Sequence, residues 1–186
     1  DVERSRGLGD VYKRQLLSSG EYTFDHMLVI KDPYGEAPLT ALALFILEEP
    51  ACVRVTTKGN LKETDFVTEL PKKKEHRVPI LGMYAEKAND IVIEILDDEG
   101  NCVKSHTFTI RTKRLPKSLR NVITVKKWTD KPAYSNIMIN GGVKIHTCVF
   151  DIEGKIRYYL SRKPRGYGIF CLLYTSPSPR DLSTSR

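Results

Sequence analysis

Histidine is the side chain of this sequence best suited to proton transfer, nucleophilic attack or metal binding at neutral pH. The chain has four: His26, His76, His106 and His146. They fall on separate predicted strands, and none stands in an HExxH spacing or beside a Ser/Asp pair at motif spacing. We therefore predict that they are surface residues or satisfied strand residues, and we assign none of them a catalytic role.

The remaining chemistry-bearing residues also lack a site pattern. Cys52, Cys102 and Cys148 form no CxxC or Cys/His ligand spacing, so the sequence predicts no zinc site. Residues 97–99 read DDE but lack the regular ligand spacing of a calcium loop. Residues 141–142 are Gly-Gly ahead of a predicted strand, where no helix N-terminus is available to hold phosphate. We predict no catalytic, cofactor-binding or metal-binding residue and no cofactor.

The charge of the chain is its next feature. The formal net charge of the 186 residues is +7, which raises the question of an acidic partner. The densest basic run, residues 72–74, has no interleaved aromatic residues on which bases could stack, so we expect a solvated loop and no nucleic-acid partner. The longest apolar stretch, residues 39–47, is far shorter than the about 20 residues of a spanning helix, so we expect no membrane span.

Both ends of the chain carry an unusual sequence. Residues 5–15 read SRGLGDVYKRQ, a translation of a transposase adapter used in sequencing-library preparation. Residues 171–181 read CLLYTSPSPRD, a translation of the reverse complement of the same adapter. We predict that residues 1–15 and 171–186 are adapter-derived artefacts, and we exclude them from reasoning about the fold.

Between these ends, the sequence predicts an all-β architecture. Hydrophobic content of 40% and charged content of 28% are those of a globular protein. Within residues 22–113 we predict seven short strands, 22–30, 39–47, 51–57, 66–70, 77–84, 91–95 and 102–112, separated by turn residues. This spacing predicts an immunoglobulin-like β-sandwich over residues 16–113.

A second unit follows a basic linker at residues 114–121. Three runs, 137–139, 143–150 and 155–160, are joined by Gly-containing turns and predict an antiparallel meander. Such a sheet cannot bury both of its faces alone. We therefore predict that residues 122–170 are the first blade of a larger structure, incomplete in this chain.

Four segments carry a resemblance to a known family: residues 32–42, 76–84, 89–95 and 151–160. Residues 32–42 read DPYGEAPLTAL, which is similar to a PYGxxPLTAL stretch in the amino-terminal region of bacterial arylsulfate sulfotransferases. Residues 76–84 read HRVPILGMY, and residues 151–160 read DIEGKIRYYL, similar to the family's DxxGxxRWYL hairpin that opens its propeller, with Tyr158 where Trp is usual. The resemblance covers residues 22–170.

The resemblance implies a β-sandwich followed by a six-bladed β-propeller, of which residues 122–170 would be the first, truncated blade. It implies transfer of a sulfuryl group from a phenolic sulfate ester to a phenol through a sulfated propeller histidine. Those catalytic residues lie in later blades, so none is carried over to this chain, and we expect the chain itself to be inactive.

The resemblance also implies export to the periplasm or cell surface and a homodimer. An exported chain could pair two of Cys52, Cys102 and Cys148, although we expect unpaired thiols. The alternative function is a non-enzymatic surface module, in which an immunoglobulin-like domain binds glycans or proteins, because fold alone does not exclude it.

Overall fold

The computed structural model describes residues 21–121, 123–124, 136–139 and 146–161. The two ends that we interpret as adapter, and the Gly-Gly turn at residues 141–142, lie outside the described residues. In the described part of the chain no helix is long and apolar enough to cross a membrane.

Five antiparallel strands form the first sheet: β1 (Leu28–Lys31), β2 (Ala41–Thr57), β3 (Phe66–Ile80), β4 (Ala88–Leu96) and β5 (Cys102–Arg111). Their order is β1-β2-β4-β5, and β3 also pairs with β2. Short 3-10 turns at Lys62–Thr64 and Lys117–Leu119 are the helical elements among the described residues.

Strand β2 belongs to both layers of a sandwich. Its first half pairs with β1 and with the end of β3, whereas its second half pairs with the start of β3 and with β4. The register shifts between Ile46 and Val53, at the exposed segment around Pro50. Such an irregularity bends a strand, so that one hydrogen-bonded sheet folds back on itself.

The structure corrects four sequence-based predictions. The segments 39–47 and 51–57 are one strand, as are most of 66–70 and 77–84, because an exposed bend keeps the backbone extended instead of forming a turn. Residues 72–74, predicted to be a loop, are an exposed part of β3. The first predicted strand, 22–30, is not continuous: Thr23 makes an isolated bridge to Ile46, and the regular strand begins at Leu28.

The core lies between the two layers. Alternate residues of β2 point inward in the first half, from Ala41 to Phe45, and again in the second, at Val53 and Val55. They meet Ile91 and Ile93 of β4, which alternate in the same way because successive side chains of a strand point to opposite faces. The predicted immunoglobulin-like, all-β fold class is confirmed.

A second sheet has the order β6-β7-β8, with β6 at Asn136–Ile139, β7 at Cys148–Asp151 and β8 at Ile156–Tyr159. It is the predicted antiparallel meander. The β7–β8 turn ends at Gly154, whose φ of 76° suits glycine. Three of its side chains, Cys148, Ile156 and Tyr159, join the apolar core of the sandwich. The assignment of this sheet to a propeller blade remains a prediction.

Candidate functional site

His76 and His146 occupy separate environments, whereas His26 and His106 line one groove at an edge of the sandwich. His76 is 2% exposed, stacks on Phe45 with ring centroids 5.4 Å apart, and has Nε2 2.8 Å from the carbonyl oxygen of Lys73. Burial lowers the pKa of His76, so the imidazole is neutral at pH 7. It fills the space between the layers as an aromatic side chain does.

The other three histidines are also explained by their contacts within the fold or by their exposure. His146 is buried, with Nδ1 2.7 Å from the carbonyl oxygen of Leu160. His106 lies 6.1 Å from the ring of Phe24, and His26 is exposed near the same edge of the sandwich. No group of three metal-ligating side chains occurs within the described ranges.

Cys52, Cys102 and Cys148, the cysteines among the described residues, are free thiols in the structure. Cys52 and Cys102 each lie opposite Leu96, on the two strands that flank β4, so a whole strand separates them. Since neighbouring strands are about 4.8 Å apart, the two α-carbons are too far apart for a disulfide. Cys148 is buried, and burial raises the pKa of its thiol. That these three thiols are unpaired in the exported protein stays a prediction.

A buried polar cluster, which we call the junction, joins the two sheets. At its centre is Arg157 of β8, whose side chain is 1% exposed. Its Nε donates to the carbonyl oxygen of Gly82 at 2.6 Å, and its Nη1 donates to that of Thr64 at 2.7 Å. Both acceptors are in loops at one end of the sandwich, so the guanidinium of the second sheet is held by backbone of the first.

Asp151 compensates the charge of this arginine. The carboxylate is fully buried, and its Oδ2 lies 3.3 Å from Nη1 of Arg157. Its Oδ1 accepts the backbone N–H groups of Glu153 and Lys155, both at 3.0 Å, which closes the β7–β8 turn. The same carboxylate therefore shapes the turn and neutralises the buried cation.

Tyr84 links the charged pair to the sandwich. Its hydroxyl donates to Oδ2 of Asp151 at 2.8 Å and accepts from Nη1 of Arg157 at 2.9 Å. The guanidinium carbon lies 3.9 Å from the centre of the tyrosine ring, within cation–π distance. Burial is the main cause that raises the pKa of the Tyr84 hydroxyl, so the group remains protonated and can donate.

The loop that carries Tyr84 is held in place by two further residues. Asn89 is buried, accepts the N–H of Tyr84 at 2.7 Å and donates to its carbonyl oxygen at 3.0 Å. Gly82 has a φ of 75°, and a β-carbon there would lie 2.7 Å from that of Phe66. A glycine is thus required where the loop approaches β3 and presents its carbonyl to Arg157.

The rim of the junction carries weaker contacts. Asn60 donates to the Glu153 carboxylate at 3.1 Å, and the N–H of Ser161 donates to the carbonyl oxygen of Glu36 at 2.8 Å. The contacts of the second sheet thus reach three loops at one end of the sandwich: residues 32–40, 58–65 and 81–87.

The residues of the junction attach the second sheet to the sandwich. Its buried donors and acceptors are paired with each other, with Nη2 of Arg157 as the one buried side-chain polar atom without a partner in the described part of the chain. A buried ion pair held by backbone carbonyls sets the relative position of two elements and offers no activated nucleophile.

Sequence reasoning did not single out Arg157, Asp151 or Tyr84 as functional. Yet each belongs to a segment that carries the family resemblance, 76–84 or 151–160. The signal available was a charged pair within a strand-turn-strand segment, although its burial and its long-range partners could not be inferred from the spacing.

Comparison with known proteins agrees with the fold. Residues 28–113 match a family model described as the arylsulfotransferase Ig-like domain. No curated protein matches the chain. The match supports an arylsulfotransferase N-terminal region, and its last residue coincides with the predicted end of the sandwich.

Proposed function

We propose that this chain is the N-terminal part of an aryl-sulfate sulfotransferase, which moves a sulfuryl group from a phenolic sulfate ester to a phenol. The observation that carries the proposal is the match of residues 28–113 to the arylsulfotransferase Ig-like domain. Residues 122–170 are, in this proposal, the beginning of the catalytic propeller, and the four segments of family resemblance support that order.

The chemistry resides in a histidine outside this chain. A neutral imidazole attacks the sulfur of the ester, the S–O bond to the phenol breaks, and phenolate leaves. The acceptor phenol then attacks the sulfur of the sulfohistidine, the S–N bond breaks, and a base removes the phenolic proton. Cationic groups stabilise the charge that develops on the sulfuryl oxygens.

The role of this chain is to support that domain. The junction supports this assignment, because it holds the β7–β8 hairpin on the sandwich through buried bonds between residues 75 and 93 positions apart. A propeller that continues from β8 therefore begins at a fixed position relative to the sandwich.

Location and assembly belong to the same proposal. The enzyme is periplasmic or extracellular and forms a homodimer. The outer edge of β5 has no strand partner among the described residues, which makes it available for pairing across subunits.

The test has two parts. The purified 186-residue chain is incubated with 4-nitrophenyl sulfate and phenol, and we expect no release of 4-nitrophenol above the buffer rate. The reading frame is then extended from the source DNA, and the protein it encodes is assayed in the same way.

The outcomes separate the two functional classes. Transfer by the extended protein, lost when its channel-facing histidine is replaced by alanine, supports the sulfotransferase. An extended frame without blades, or with blades but no transfer, contradicts it and favours the surface-binding module. Transfer by the 186-residue chain alone would refute the statement that catalysis lies outside it.

A further inference from the structure

A cavity of about 340 Å³ lies beside the junction and takes no part in it. Three segments form its walls: the loop after β3, the linker that contains the 3-10 turn Lys117–Leu119, and the β7–β8 turn. Its volume falls in the range of small-molecule sites. Because the walls come from both sheets and the linker, the cavity exists only when these parts are assembled.

The floor of the cavity is apolar. Leu119 is 1% exposed and Ile156 is 6% exposed, and the half-buried Leu115 and Ile123 line the same space. Leu119 and Ile156 belong to the core cluster, so the apolar surface that a ligand can cover is mainly that of Leu115 and Ile123. An aromatic or branched apolar group is the chemistry that would displace water from such a surface.

The rim of the cavity is cationic. Arg114, Arg120 and Lys155 line it together with one carboxylate, that of Glu86. Glu86 pairs with Arg114, with 3.3 Å between Oε2 and Nε. Arg120 and Lys155 have no carboxylate partner in the described ranges. The rim therefore keeps two positive charges that are not neutralised locally.

Arg120 is held in position to donate. Its Nε donates to the carbonyl oxygen of Leu115 at 2.9 Å, which orients the planar guanidinium. Asn121, the next residue, has a φ of 55°, a left-handed conformation that is uncommon for a residue other than glycine. Arg120 and Asn121 both line the cavity.

We propose that this cavity binds a small organic anion that has an apolar body, with its anionic group at Arg120 and Lys155 and its apolar body on the half-buried Leu115 and Ile123, above Leu119 and Ile156. The combination disfavours two simpler ligand classes, since a bare inorganic anion leaves the apolar surface uncovered and a neutral apolar molecule leaves the cations unpaired. The proposal does not depend on the sulfotransferase assignment.

Binding is tested on the full chain by titration calorimetry with 2-naphthalenesulfonate, and 2-naphthol and methanesulfonate serve as matched probes. We expect a Kd of about 1 mM or below, from the ligand efficiency usual for molecules of this size. Each matched probe should bind at least about tenfold more weakly, because it lacks one of the two interactions. Amide NMR signals of Asn121 and Gly154 should shift during the titration.

Two variants test the cations separately. Arg120→Gln should weaken binding about tenfold, because a guanidinium makes oriented, charge-assisted hydrogen bonds. Lys155→Gln should weaken it about threefold, since Lys155 is exposed to solvent. Lys117→Gln is the control, because Lys117 is exposed in the same linker but does not line the cavity.

The proposal is overturned if methanesulfonate or 2-naphthol binds as tightly as 2-naphthalenesulfonate, or if no binding is detected at 2-naphthalenesulfonate concentrations of about ten times the expected Kd. Equal affinities for Lys155→Gln and Lys117→Gln would likewise contradict it. Within the described residues, the Lys155 side chain makes no hydrogen bond or ion pair. The Lys155→Gln variant therefore remains informative even if Arg120→Gln disturbs the linker.

Discussion

Replacing Arg157 by methionine is expected to release the β7–β8 hairpin while the sandwich remains folded. Methionine retains much of the length of the side chain but removes its charge and all of its donors. The carbonyl oxygens of Gly82 and Thr64 then lose their partner, and the buried Asp151 loses its counter-charge. The β4 strand makes none of these contacts and should keep its stability.

The magnitude follows from the burial of the pair. Arg157 and Asp151 are 1% and 0% exposed, and removal of one member of such a pair costs about 3–5 kcal/mol because the other charge stays buried. Each 1.4 kcal/mol is a factor of ten in an equilibrium constant. The opening equilibrium of the hairpin should therefore increase about a hundredfold to several thousandfold.

Native-state hydrogen exchange measures this change residue by residue. Exchange of the protected amides of Ile156–Tyr159 should accelerate by the stated factor, whereas amides of β4, such as that of Ile93, should change much less. Arg157→Lys should restore less than half of the lost free energy, because an ammonium cannot donate in two fixed directions to separate carbonyls. Arg111→Met is the matched control, because Arg111 is an exposed strand arginine and should change exchange about twofold or less.

Two results would refute this reasoning. One is hairpin exchange in Arg157→Met within tenfold of the unmodified chain, which would mean that apolar contacts alone hold the hairpin. The other is full recovery in Arg157→Lys, which would make charge sufficient and the directed hydrogen bonds irrelevant. If Arg157→Met does not fold, the rates of hairpin exchange in Arg157→Lys and Arg111→Met still show whether charge alone is sufficient.

Three further predictions concern the surroundings of the junction and the core. Tyr84→Phe should lower the free energy of unfolding in urea by about 1–3 kcal/mol, since Asp151 loses a buried donor; no change would contradict the hydrogen bond at 2.8 Å. His76 has a lowered pKa in the fold, so the unfolded chain binds more protons as pH falls below about 6.5 and stability should decrease there. The His76→Gln variant should show a weaker dependence between pH 5 and 8, and an identical dependence would disprove it. Gly82→Ala should cost about 2 kcal/mol or more, whereas Gly100→Ala, with a φ of 85° but open space around it, should cost about 1 kcal/mol; equal losses would show that the close approach is unimportant.

Local patterns predicted much of the fold because they report local physics. The alternation of Ile91, Ile93 and Ile95 predicts a strand with one buried face, and the structure has β4 there. The antiparallel meander was also predicted from local features, because Asp151 and Gly154 form the turn that joins β7 to β8. The sequence did not predict that β2 continues through Pro50. The same residue types occur in a bend within a strand and in a turn between strands, and only the pairing with distant strands distinguishes the two.

The amino-acid sequence by itself determined the all-β class, the turns between neighbouring strands and the absence of a recognisable catalytic motif in this chain. Each of these depends on residues close to one another in the sequence. The tertiary structure decided that Arg157 is buried and which atoms it contacts. Its partners at Gly82 and Thr64 lie 75 and 93 positions away, and no periodicity relates them. A charged residue on a short strand is ordinarily exposed, and it becomes buried only when loops from another sheet supply acceptors that replace water.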